Sequence, residues 1–147
     1  MKNQLKFKLM TIIMGSIIAS NLFAQNVDFK LLKSGQNCNH TIAENFLIDN
    51  KNDLTKLGIE LSDSINFDKE LVLVVYRGGC PSGGYSVYIK EIQKNKVGLF
   101  VEIVYADPGE NCRRSLALTQ PYAVYSIKKQ DIKITFNTST MIKDCEK

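Results

Sequence analysis

From Leu71 onward the chain alternates between two patterns of apolar residues. Leu71-Val-Leu-Val-Val-Tyr76 is continuously apolar and mostly β-branched, as suits a central strand covered on both faces. Further on, Tyr85, Val87 and Ile89 alternate with Ser86, Tyr88 and Lys90. Leu99, Val101, Ile103 and Tyr105 alternate with Phe100, Glu102 and Val104, and Ile132, Ile134 and Phe136 with Lys133 and Thr135. A period of two puts each apolar set on one face of a sheet, the signature of half-buried antiparallel strands. Turns at Lys94-Asn-Lys96 and Lys128-Lys-Gln-Asp131 are short enough for hairpins. The pattern predicts a single, mainly β, antiparallel domain, either sandwich-like or a small open barrel, with no internal repeat, low-complexity tract or linker.

The stretch before Leu71 is mixed. Asn45-Phe-Leu-Ile48 reads as a short strand. Asn50 then offers a side-chain acceptor for a helix start, and Asp53 sits near the positive end of the helix dipole. Leu54 and Leu57 share a face, and Gly58 is a natural stop. This predicts a two-turn helix on the N-terminal side, too short to persist without packing. Ile59 to Phe67 reads as loop.

The first residues bear on compartment. Lys2, Lys6 and Lys8 form a basic head, Leu9 to Ala19 is apolar but for Thr11, Gly15 and Ser16, and Leu22-Phe23-Ala24 ends in a small residue. This is the layout of a signal peptide over 1–24, with a mature domain over 25–147 in the periplasm or outside the cell. A membrane anchor is the competing reading, but the run falls short of the roughly 20 apolar residues a spanning helix needs, so no anchor is expected after cleavage. The net charge of +4 includes the three lysines of the head and becomes +1 without them. With no basic stripe interleaved with aromatics, nucleic acid is not an expected partner.

All four cysteines, Cys38, Cys80, Cys112 and Cys145, lie in the mature part, and an even count in an exported chain favours two disulfides. Zinc ligation is the alternative, but the paired spacings of zinc sites are missing. If strand Leu71–Arg77 runs one way, Tyr85–Ile92 returns and Gly98–Ala106 runs back, then the loops 78–84 and 107–120 emerge at one end of the sheet. Cys80 and Cys112 would meet there, leaving Cys38 to pair with Cys145.

No catalytic set stands out. The single histidine, His40, lies beside Cys38 in a polar stretch. There is no nucleophile elbow, phosphate loop, zinc-protease motif or dinucleotide fingerprint, and Asp107 and Glu110 flank an ordinary turn. No enzymatic activity, cofactor or metal is expected. The most distinctive segment is Arg77-Gly-Gly-Cys-Pro-Ser-Gly-Gly-Tyr-Ser86. As a hairpin connection it needs turn residues anyway, with Tyr85 starting a strand. As a functional loop, its Pro81, Ser82, Gly83, Gly84 and Tyr85 offer bare backbone and an aromatic edge to another chain. Leu118-Thr-Gln-Pro-Tyr122 is similar: Pro121 suits the first residue of a strand, and Gln120 and Tyr122 suit a contact loop.

In this order, Asn66-Phe-Asp-Lys-Glu-Leu-Val72, Pro81-Ser-Gly-Gly-Tyr-Ser-Val87, Asp107-Pro108-Gly109 and Leu118-Thr-Gln-Pro-Tyr122 resemble the PrcB C-terminal domain family over roughly Phe67 to Phe136. Ser82 stands where the family more often has threonine. The resemblance implies an exported protein that associates with a protease complex by binding rather than catalysis. It does not extend to the lipid-accepting cysteine of the member that names the family. The expected contact surface comprises Pro81–Tyr85, Pro108, Gly109 and Gln120–Tyr122, and the expected partner is a protein, a protease among the candidates. A weaker similarity links the Pro-Ser-Gly-Gly-Tyr and Gln-Pro-Tyr loops to chagasin-like cysteine-protease inhibitors, so direct inhibition is the alternative. A third reading is an envelope protein whose ligand is not a protease.

Overall fold

The computed structural model describes residues 24–62 and 64–145; nearly all of the signal peptide expected over 1–24 lies outside them. Eight strands and one helix follow in the order β1 (Gln25–Asn26), β2 (Phe29–Gly35), β3 (Glu44–Ile48), α1 (Lys51–Lys56), β4 (Glu70–Tyr76), β5 (Ser86–Lys94), β6 (Leu99–Pro108), β7 (Tyr122–Lys128) and β8 (Ile134–Lys143). They form two four-stranded sheets, ordered β1-β5-β6-β8 and β2-β7-β4-β3, with no closed barrel. Of the two architectures the sequence left open, the sandwich is the one present.

The inter-sheet core follows the period-two sets. Leu71, Leu73 and Val75 of β4 and Ala123, Tyr125 and Ile127 of β7 face Val87 and Ile89 of β5 and Leu99, Val101 and Ile103 of β6. Val72, Val74 and Tyr76 point the other way, under Leu54 of α1 and Ile59, with Leu61, Ile65 and Phe67 packed alongside. β4 is therefore covered on both faces, which is why it is apolar from Leu71 to Tyr76. A register shift between Ile89 and Glu91 breaks the β5–β6 ladder, and the buried Ile89 N–H donates to the Tyr125 hydroxyl of the facing sheet at 3.1 Å. A buried donor in a bulge needs such a partner. In α1 the Asn50 side chain accepts from the Asp53 N–H at 2.9 Å, and Gly58 ends the turn at φ 68°, as expected.

The connectivity differs from a simple meander. β4 lies in one sheet and β5 in the other, so loop 78–84 crosses between sheets instead of closing a hairpin. The turn at 128–131 does the same, and β8 pairs parallel with β6, not antiparallel with β7. β2 has no counterpart among the predicted strands. Its pairing with β7 shifts register between Leu31 and Lys33, which removes the alternation a sequence pattern needs.

Tyr76 is 2% exposed, and burial, aided by nearby Cys38 and Tyr122, pushes its phenol up to about 12 from an ordinary 10.0. Above pH 10 the unfolded chain releases this proton first, so stability falls as pH rises toward about 12. Tyr76→Phe is expected to reduce the alkaline loss of stability, measured by urea unfolding at a series of pH values. An unchanged pH profile would remove Tyr76 from the account.

Candidate functional site

Three loops meet at one rim of the sandwich. Loop 78–84 leaves β4, loop 109–121 joins β6 to β7, and segment 36–43 joins β2 to β3. Backbone bonds stitch them together. The Arg77 N–H donates to Pro121 O at 2.9 Å, and Cys80 and Thr119 exchange bonds of 2.8 and 3.0 Å as an isolated antiparallel bridge. The Gly79 N–H reaches Thr41 O at 2.9 Å and the Gln120 N–H reaches Gln36 O at 2.7 Å. Side chains add to the mesh: the Thr119 hydroxyl donates to Ser82 O at 2.7 Å, and the Gly83 N–H reaches the Ser115 hydroxyl at 3.1 Å.

Below the loops lies an ionic brace. One Arg77 guanidinium nitrogen donates to Asp107 Oδ1 at 2.9 Å, and the group lies 4.5 Å from the centre of the Tyr105 ring. The Tyr105 hydroxyl donates to Tyr76 O at 3.3 Å. The brace thus links the end of β4 to the end of β6, with the pair only partly exposed and better shielded from water than a surface ion pair. Arg114 performs a similar task for the following loop, donating to the carbonyls of Pro108 and Gly109 at 3.0 and 3.1 Å.

The cysteines correct the expected pairing. Cys112 bonds to Cys145 with Cα atoms 5.1 Å apart, while Cys38 and Cys80 are free. The loops do converge as the strand directions required, but the parallel β6–β8 ladder continues to Pro108 opposite Lys143 and delivers Cys145 to Cys112. Cys80 is buried at the Thr119 bridge, and the Cys38 thiol donates to Gln120 O at 3.3 Å. Burial raises the pKa of both free thiols, which keeps them protonated and poorly nucleophilic. His40 stacks on Tyr76 at 4.3 Å and contacts Glu44 at 3.2 Å. Among the described residues no cluster of three or more His, Cys, Asp or Glu is placed to hold a metal ion.

Replacing Cys112 and Cys145 together with alanine is expected to lower stability by about 3–4 kcal/mol, from loop-closure entropy over a separation of 33 residues. Chemical denaturation measures the loss. Alkylation of Cys112 in the native protein would contradict the bond.

The residues anticipated from the sequence divide by exposure. Pro81 and Gly84 are exposed, and Ser82, Gly83, Tyr85, Gln120 and Tyr122 are half-buried. Pro108, Gly109 and Pro121 are buried and serve the mesh rather than the surface. Tyr122 lies with its ring 6.3 Å from that of Tyr76, within the cluster on the outer face of its sheet. Gly84 adopts φ 92° and a side chain there would come within 3.0 Å of Pro108, so the loop needs glycine at this point. The most exposed apolar side chains of the rim were not among those anticipated: Leu116 is 98% and Leu118 74% exposed. They stand beside exposed Arg113 and Arg114. Their signal in the sequence was Leu-Ala-Leu inside a loop, where no strand accounts for apolar residues.

A two-sheet β domain with its loops gathered and locked at one rim defines the class. Residues 71–128 match the family model described as PrcB C-terminal. The matched stretch runs from β4 through β7 and contains both rim loops. It suggests a domain related to a protease complex. No curated protein and no solved structure matches.

Proposed function

We propose that this chain is an exported, non-enzymatic protein-binding module that docks on a protease, or on the complex containing it, through the loop rim. The observation that carries the reading is the exposure of Leu116 and Leu118 on a loop whose ends are fixed by the Cys112–Cys145 bond and the Thr119–Cys80 bridge. A preorganised loop loses little conformational entropy on docking, and solvent-exposed leucines gain free energy when a partner covers them. Pro81 and Gly84 complete the surface, and Arg113 adds positive charge that favours an acidic margin on the partner. The family match over the same loops supports a protease as that partner.

The test is affinity capture from the native cell envelope with the processed chain as bait. A protease that co-purifies and remains active supports the docking role. A protease silenced in proportion to added chain makes this protein a direct inhibitor. Capture of partners containing no protease would refute the protease assignment.

A further inference from the structure

The two sheets have four outer strands, β1 and β8 in one and β2 and β3 in the other. Protein sheets protect such edges with short strands, bulges, charge or proline. β1 has two residues. β2 carries Lys30 and Lys33 and a register shift between Leu31 and Lys33. β3 has five residues, begins at Glu44 and is followed by Asp49. β8 shares none of these devices. Its ten residues pair with β6 without a register shift, include no proline and carry no charge before the final Lys143.

One face of β8 also outruns the core. Ile134 and Phe136 pack against the inter-sheet cluster. The same face continues through Thr138, Thr140 and Ile142, all exposed, with Ile142 at 71%.

We propose that β8 pairs antiparallel with β8 of a second copy, about a two-fold axis at Ser139, so that the β5/β6 sheet continues across two subunits. Residues directly opposed in a ladder point to the same face, and a two-fold axis normal to the sheet therefore has to pass through a residue position, not between two. The two central choices are Thr138 and Ser139. Centring on Thr138 opposes Lys143 to Lys133 of the other copy, and like charges directly opposite are unfavourable. Centring on Ser139 opposes Lys143 to Thr135 and Ile142 to Phe136. The exposed isoleucine has an apolar neighbour in either register, Ile134 or Phe136, so charge selects the Ser139 register. The two loop rims then point in opposite directions and both stay free, so this pairing stands or falls independently of the protease-docking role.

The mass of the processed chain in solution, measured by light scattering at roughly 100 µM, is expected to be twice that of one chain. Ser139→Lys sets two ammonium groups face to face on the axis and is expected to return the mass to one chain with an unchanged circular dichroism spectrum. Ser139→Cys, treated with oxidised glutathione, is expected to crosslink two copies, whereas Asn137→Cys, opposite Met141, is not. That comparison decides the matter if the lysine variant fails to fold. A single-chain mass for the unmodified protein, a dimer that survives Ser139→Lys, or equal crosslinking at both cysteine positions would each overturn the proposal.

Discussion

Aspartate at both Leu116 and Leu118 is expected to reduce capture of the partner by about 30-fold or more, the effect of losing one strong interface anchor. The melting temperature should stay within about 2 °C of the unmodified protein. Both side chains project from the folded chain, at 98% and 74% exposure, so their replacement removes little internal contact. The loop backbone stays anchored through Ser115 to Gly83 and through Thr119 to Cys80. On docking, by contrast, two carboxylates would have to give up water at the centre of an apolar contact, a cost far above the lost leucine burial. Competitive capture with mixed bait measures the ratio, and undiminished capture by the double variant would move the docking face elsewhere.

Gly78→Val is expected to be the most damaging single change at the rim, lowering stability by about 3 kcal/mol or more. Gly78 is buried at φ 81°, in the left-handed region that β-branched residues avoid. A Cβ there would also lie 2.8 Å from the Ala43 nitrogen and 3.1 Å from Thr41 O. Both neighbours are backbone atoms held in the mesh, so neither can swing aside as a flexible side chain would. Relief would require segment 41–43 to separate from loop 78–84, breaking the Gly79–Thr41 hydrogen bond. Urea unfolding reports the stability, and a loss below about 1 kcal/mol would mean that segment 41–43 yields easily.

The strands most visible in the sequence were those whose side-chain pattern is decided by local burial. β4 is apolar from Leu71 to Tyr76 because both faces are covered, and β5 and the first half of β6 alternate because only one is. The α1 start was equally legible, since the Asn50 cap acts on a residue three positions away. What stayed hidden depends on long-range geometry. Crossing between sheets at 78–84 and the parallel placement of β8 leave no mark on periodicity, so the strand directions predicted a shared rim but the wrong partner for Cys112, Cys80 in place of Cys145. The Arg77–Asp107 brace spans thirty residues and two sheets, and neither partner is unusual in its own segment. Pro121 was ambiguous for a related reason: a proline that starts a strand and one that tips a contact loop look alike until its carbonyl is seen accepting from Arg77.

Docking by the rim is tested most directly by hydrogen–deuterium exchange on the chain alone and bound to the protein it captures. Slower exchange on binding is expected at residues 81–84 and 113–118, with α1 and the outer face of β3 unchanged. Protection confined to α1 and β3, with the Leu116 loop exchanging as fast in the complex as outside it, would contradict it.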